Sequence, residues 1–188
     1  TTPKEIIPAV VAGIENWNIA FEEAGFINAI VAKIQPEDAE WDAADYDYNV
    51  VRWSSEPDGN LLGIGPSVTN PLTGEIISGD VVNKLLAIKL GYNYRKLYGY
   101  TEDNDPLMQY ITNLTLHEVG HVLGLRHNFR GSYLYSPTEI HDKTITGNTL
   151  MSSVMDYDPI NIAPEGTEQG IYFSTVPGVY DKWAIKFG

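Results

Sequence analysis

The sequence contains no cysteine, which excludes disulfide bonds and any chemistry that depends on a thiol. It carries only 12 lysines and arginines against 25 aspartates and glutamates, so its formal net charge is −13. Because phosphate backbones are bound by clusters of basic residues, this charge argues against nucleic acid as a partner. No apolar run approaches the roughly 20 residues that a membrane-spanning helix needs. With 43% hydrophobic residues among 188, the composition is that of an ordinary globular domain.

Three histidines stand within residues 117–127, which read His-Glu-Val-Gly-His-Val-Leu-Gly-Leu-Arg-His. His117 and His121 are four residues apart, so on a helix they share one face and can bind one ion. On a continued helix His127 would lie about 15 Å from His117, so the helix must end first. Gly124 is the residue that permits the necessary sharp turn. Three imidazoles predict a catalytic zinc site, because they leave the fourth position of a tetrahedron open to water.

Glu118 follows the first predicted ligand and need not bind the metal itself. From that position its carboxylate can take a proton from water, whose pKa a zinc ion lowers to about 7. We therefore predict that Glu118 is the general base. A short His-Glu-x-x-His pattern also occurs by chance as two exposed helix histidines beside a glutamate, but the extension through Gly124 and His127 is far more specific.

This eleven-residue pattern is the signature of the metzincin metallopeptidases, in which a methionine turn follows it. Residues 152–157, which read Ser-Ser-Val-Met-Asp-Tyr, resemble that turn. Three further stretches, 13–18, 70–76 and 180–185, are similar to the catalytic domain of a family of large bacterial zinc-dependent metzincins, many of them from Bacteroidetes. The resemblance implies that the chain is an excised domain of a longer, exported protein, whether periplasmic, cell-surface or secreted. The neighbouring domains of that protein would then be partners.

The resemblance also implies roles for two residues of the turn. Met155 would pack beneath the imidazoles as the base of the metal site, without binding the metal. In astacins and serralysins, a tyrosine at the offset of Tyr157 is a fifth ligand at rest, and it swings away when substrate binds. Tyr157 would then donate a hydrogen bond to the oxyanion. The alternative is a buried tyrosine that supports the turn, with Asn128 holding its hydroxyl elsewhere.

The predicted function is that of a zinc-dependent endopeptidase acting on a peptide or protein substrate. An extended peptide would add its backbone to the edge strand within residues 61–68. Two alternatives stay open, a non-peptidase zinc amide hydrolase and a non-catalytic zinc-binding module. The second is disfavoured because degenerate family members typically lose the glutamate, and Glu118 is present. Calcium is a further candidate cofactor, but the acidic stretch 37–47 lacks the alternation and glycine of a known calcium loop.

The predicted fold is α/β and metzincin-like: a mixed, mostly parallel twisted sheet with an antiparallel edge strand, a long active-site helix and a small irregular C-terminal lobe. Residues 1–127 would form the N-terminal lobe with the active-site helix, and 128–188 the C-terminal lobe with the methionine turn. The apolar patterns predict a first helix from Ile7 that ends before Gly25, with its apolar stripe against the sheet. The other predicted helices are 82–98, 106–123 and 180–187, and the predicted strands are 26–34, 48–53, 61–69 and 75–82.

Two features of the sequence lie outside this scheme. Metzincin domains usually begin with a strand before the first helix, whereas only Thr1 to Lys4 lie ahead of the first turn of that helix here. A missing inner strand would leave a sheet edge open to association. Tyrosines at 92, 94, 98 and 100 would either line a groove or pack against a neighbouring domain. We assign no role to His141.

Overall fold

The computed structural model describes residues 2–55 and 61–188 of the chain. Six α-helices lie in this part: α1 (Ile7–Glu15), α2 (Asn18–Glu23), α3 (Leu85–Tyr98), α4 (Pro106–Val122), α5 (Lys143–Thr146) and α6 (Val179–Phe187). Four strands form the sheet: β1 (Val50–Ser54), β2 (Gly63–Ile64), β3 (Ser67–Thr69) and β4 (Ile76–Lys84). Short 3-10 helices occupy Lys4–Ile6 and Gly131–Tyr133. No helix among these residues has the length and apolar character to cross a membrane.

β4 is the central strand of the sheet. It pairs parallel with β1 and antiparallel with β2 and β3, which together form the first arm of the predicted hairpin. Pro66 lies between these two short strands. The turn closes where the Asn70 N–H donates to Glu75 O (2.8 Å) and the N–H of Gly74, at φ +77°, donates to Asn70 O (2.8 Å). The hairpin, its five-residue turn and the edge position of its first arm are confirmed.

Residues 26–34 do not form the buried strand that their apolar composition predicts. Four of their large apolar side chains are more than half exposed: Phe26, Ile27, Val31 and Ile34. The side chain of Asn18 bonds both backbone groups of Ile30, donating to its carbonyl (2.7 Å) and accepting from its N–H (3.1 Å). A side-chain amide therefore takes the place that a neighbouring strand would have.

The fold class is confirmed as α/β with a mixed sheet, but the sheet is not mostly parallel. One of its three described pairings is parallel and two are antiparallel. The reason is that residues 26–34 stay outside the sheet, which leaves β1 as the one parallel neighbour of β4 among the described strands.

The predicted first helix is broken into α1 and α2 at Asn16 and Trp17. The indole of Trp17 is fully buried and donates from Nε1 to Leu116 O of α4 (3.0 Å). α1 packs mainly against α4, but Val51 and Trp53 of β1 pack against the same core cluster as Ala9 and Val10 of α1, so the predicted packing on the sheet holds in part. A β-carbon on Gly13 would lie 2.6 Å from Thr115 Cβ, so glycine is what lets these two helices approach.

The long helix α4 begins and ends close to where the sequence predicts. Asp105 caps it by accepting from the Leu107 N–H (3.0 Å), and Pro106 occupies the first position, where no N–H is needed. Its last residue is Val122, one before the predicted end. Leu116 and Val119 are buried, so α4 runs through the core rather than along the surface.

The remaining predictions differ from the structure mainly at their boundaries. Helix α3 begins at Leu85 instead of residue 82, because β4 continues to Lys84. Tyr94 of α3 packs edge-on against Tyr110 with ring centroids 5.4 Å apart, so it belongs to the core of this chain. Between α4 and α6 the described chain has only one-turn helices, as predicted for an irregular region, and α6 is the predicted closing helix.

Candidate metal centre

The end of α4 brings the third histidine back toward the first two. Gly124 has φ +91°, and a β-carbon there would meet no atom within 4 Å. The backbone conformation, not crowding, therefore favours glycine at this position. The Gly124 N–H donates to His121 O (3.0 Å) and the Leu125 N–H donates to Gly120 O (2.9 Å), which closes the last turn of the helix. The chain then reverses direction, which brings His127 close to His117 and His121, as the sequence predicts.

The three histidines offer ligand atoms that all lie within 4.8 Å of one another. His121 Nε2 and His127 Nε2 are 3.1 Å apart. Two nitrogens on one tetrahedral zinc would be about 3.4 Å apart, given Zn–N bonds of about 2.1 Å, so the spacing fits such an ion. Among the described residues, no second group of three or more histidines, aspartates or glutamates is arranged in this way, and the acidic stretch 37–47 supplies none.

Two backbone carbonyls orient the helix-borne imidazoles. His117 Nδ1 lies 2.7 Å from Val154 O, and His121 Nδ1 lies 2.9 Å from Leu125 O. A carbonyl oxygen can only accept, so each Nδ1 carries the hydrogen. The Nε2 lone pair of each ring is then left for a metal, which is the arrangement in most histidine-ligated metal sites.

Burial favours the neutral form of two of the predicted ligands, His117 and His127, by lowering their pKa values. It lowers the pKa of His117 to about 4, although the Val154 carbonyl opposes the shift. The pKa of His127 is also lowered, first by burial and then by the charge of His121. Neutral imidazole is the form that binds zinc, so both shifts favour metal binding.

The side chain of Glu118 is 5% exposed, and burial raises its pKa to about 7. It lies against the hairpin arm, because a β-carbon on Gly63 would be 2.7 Å from Glu118 Oε1 and 2.8 Å from Asn83 Oδ1. Asn83 is fully buried, and neither atom of its amide has a hydrogen-bond partner within residues 2–55 and 61–188. A β-carbon on Gly65 would be 2.1 Å from Glu118 O. Sequence reasoning missed these contacts, although glycines within a strand are a signal of close approach.

Met155 lies directly beneath the metal-binding helix. It is fully buried, and a β-carbon on Gly120 would be 2.4 Å from its sulfur and 2.9 Å from Trp17 Cζ2. The Asn128 N–H donates to Met155 O (3.0 Å), which ties the segment after His127 to this turn. The methionine therefore packs against α4 at Gly120, next to His121, and its packing beneath the imidazoles stays a prediction.

Comparison with known proteins agrees with this geometry. A family model described as Met-zincin matches residues 100–188, which include α4, the three histidines and Met155. Residues 100–188 are therefore similar to the Met-zincin family, and this similarity supports a metzincin-type zinc metallopeptidase domain there. No curated protein and no solved structure matches the chain.

Tyr157 lies beside two of the predicted ligands, His117 and His127. Its ring centroid is 5.5 Å from that of His117, with planes 23° apart, and 4.6 Å from that of His127. The side chain is 62% exposed, so it is not the buried tyrosine of the packing alternative. In the packing alternative, Asn128 would hold the Tyr157 hydroxyl. Here its Oδ1 accepts from the Arg130 N–H (3.3 Å). The part of Tyr157 in turnover stays a prediction, as does that of Glu118.

Two further residues within the matched stretch 100–188 have no role in the sequence analysis, namely Phe129 and Asp181. Phe129 is 63% exposed, and its ring centroid is 5.5 Å from that of His127. Asp181 is fully buried at the start of α6 and contacts the methionine turn. The polar character of Asp181 carries no signal of burial, so a single sequence could not have revealed this contact.

Proposed function

We propose that this chain is a zinc-dependent endopeptidase in which His117, His121 and His127 hold the metal and Glu118 is the general base. The observation that carries the proposal is the convergence of three histidine ligand atoms within 4.8 Å, on residues that the Met-zincin family model matches. Bound zinc would polarise the scissile carbonyl and lower the pKa of the attacking water.

The protein's own part in the chemistry falls to Glu118. Its carboxylate would take a proton from the attacking water as the new carbon–oxygen bond forms. It would then return that proton to the amide nitrogen as the carbon–nitrogen bond breaks. Its burial next to His117 supports this role, because a carboxylate held in a fixed place can reach the same water in every turnover.

The first arm of the hairpin supports an extended peptide as the substrate. β2 and β3 each pair with β4 alone among the described strands, so their other edge can accept a peptide backbone as an antiparallel strand. Val68 of β3 is 48% exposed and Ile64 of β2 is 43% exposed, which leaves apolar surface for substrate side chains. A peptide on this edge would cross in front of Glu118, because Gly63 and Gly65 lie against that residue.

Tyr157 is proposed as the donor that stabilises the oxyanion. Its ring lies beside His117 and His127 and is exposed, so the hydroxyl can move without disturbing the core. A preorganised donor of this kind is worth about 3 kcal/mol when it is removed. From the family resemblance alone, we further propose that the chain is one domain of a longer exported protein.

The test is zinc analysis of the purified chain together with incubation against a peptide library, read by mass spectrometry. About one zinc per chain and cleavage of internal peptide bonds are expected. A Glu118→Ala chain purified in the same way serves as the blank for contaminating proteases. Zinc with hydrolysis of small non-peptide amides alone would indicate the amide hydrolase. Zinc with no hydrolysis would indicate a binding module.

A further inference from the structure

Asp181 is a buried charged residue that the proposed chemistry does not use. It lies in the first turn of α6, is fully buried, and has no ion-pair partner among the described residues. A carboxylate without a cation is costly to bury unless several hydrogen bonds replace its water. Three donors do so here. Oδ1 accepts from Ser153 Oγ (2.6 Å), and Oδ2 accepts from the N–H groups of Val154 (2.8 Å) and Gly178 (2.8 Å).

Val154 connects this carboxylate to the metal centre. Its N–H donates to Asp181, and its carbonyl accepts from His117 Nδ1 (2.7 Å). The orientation of the His117 ring therefore depends on where the backbone of Val154 is held, and Asp181 is the side chain that holds it.

A second contact between α6 and the turn does not involve the carboxylate. The Tyr180 N–H donates to Ser152 O (2.8 Å), so the turn keeps one backbone bond to α6 when Asp181 is changed. α6 is also tied to α2 by an exposed ion pair between Lys182 and Glu23 (2.6 Å). A change at Lys182 can therefore weaken the packing of α6 against α2 without moving the backbone of Val154.

We propose that Asp181 is a positioning residue for the metal. It fixes the Val154 carbonyl where His117 needs it, so the affinity of the site for zinc depends on a carboxylate in the C-terminal helix. The proposal rests on the zinc site of the proposed function and adds a residue that contacts neither the metal nor the substrate. Outer-shell partners of this kind change metal affinity by about 10- to 100-fold when they are altered.

The test compares zinc Kd, measured by competition with a chelator, for three variants of the chain. Asp181→Asn keeps the size of the side chain but places an NH2 group among three donors, and we expect zinc affinity to fall about tenfold. Lys182→Ala loosens α6 without contacting Val154 and should leave the zinc Kd unchanged. Ser153→Ala leaves both N–H bonds to Oδ2 intact and should weaken zinc less than Asp181→Asn does.

All Kd values are measured at a temperature at which circular dichroism shows each variant to be folded. A lower Tm for Asp181→Asn with an unchanged zinc Kd would mean that the residue is merely structural and would overturn the inference. Equal weakening by Ser153→Ala would overturn it as well, because general loosening of the turn would then suffice. A wild-type chain that binds no zinc would overturn the proposed function and this inference together.

Hydrogen exchange on the wild-type chain tests the same inference without a variant that must fold. Zinc and the Asp181 bonds should stabilise one another, because coupling between two sites is reciprocal. The Gly178 N–H, bonded to the same Oδ2 as Val154, should then exchange more slowly when zinc is added, by a larger factor than amides of α3. If zinc slowed exchange of the Gly178 N–H and of the α3 amides by the same factor, the inference would be overturned, even if Asp181→Asn fails to fold.

Discussion

Gly63 lies against the carboxylate of Glu118: a β-carbon at Gly63 would be 2.7 Å from Glu118 Oε1. Gly63→Ala should therefore displace the proposed general base while the three histidines stay in place. We expect kcat to fall at least tenfold with zinc content unchanged, since a misplaced base loses much of the roughly 100-fold or greater effect of general-base catalysis. Steady-state kinetics and metal analysis check this, with Gly188→Ala as a control, because the one atom within 4 Å of a β-carbon there would be Ala184 O at 3.6 Å. An unchanged kcat would show that Glu118 tolerates the displacement.

Glu118→Ala should retain zinc while losing most turnover, because it removes the base and no ligand. The expected fall in kcat is about 100- to 10,000-fold, the usual worth of a positioned base. Peptide cleavage and zinc content are measured on the same preparation. Cleavage at the wild-type rate would show that another group takes the proton.

Gly124→Val should lower zinc affinity and thermal stability together. A β-branched residue strongly resists φ +91°, so His127 would be misplaced at the end of α4. Gly124→Asn is the matched control, because asparagine tolerates the left-handed conformation, and it should keep most of the affinity. Chelator competition and thermal melting provide the two readouts. The assignment of the turn fails if the valine variant binds zinc as the wild type does.

Tyr157→Phe should lower kcat by roughly a hundredfold, with KM, zinc content and Tm nearly unchanged. That pattern is expected when an interaction made only in the transition state is lost. The side chain is 62% exposed, so removal of its hydroxyl should cost little stability. Tyr133→Phe, at a tyrosine that is 79% exposed, is the control and should be neutral. A lower Tm with unchanged kcat would favour a supporting role for the turn.

The metal centre was predictable because all of its residues lie within one short stretch of the sequence. Residues 117–127 contain the three proposed ligands, the proposed base and the glycine that turns the chain, and helical geometry relates these positions without knowledge of the rest of the fold. The hairpin was predictable for the same reason, since the turn from Asn70 to Gly74 carries its own backbone requirements.

The predictions that were wrong or incomplete concern packing contacts between elements that are far apart in the sequence. An apolar run such as 26–34 indicates burial, but it cannot show that Asn18 will bond Ile30 where a strand was expected. The break between α1 and α2 follows from the burial of Trp17 against Leu116, a contact between residues far apart in sequence. Gly63 and Asp181 were missed for that reason too, because their neighbours Glu118 and Val154 come from other elements.

The close spacing of the three histidines has a consequence for what the metal can stabilise. All of them fall within residues 117–127, so an ion bound there closes only a short loop and restricts little of the unfolded chain's conformational freedom. The link between this segment and residues 152–181 is made by the Met155 packing and by the hydrogen bonds of Asn128 and Val154. Removal of the metal by a chelator should therefore loosen only the segment after His121. α1, α4 and the sheet should stay folded and should still unfold in one cooperative transition.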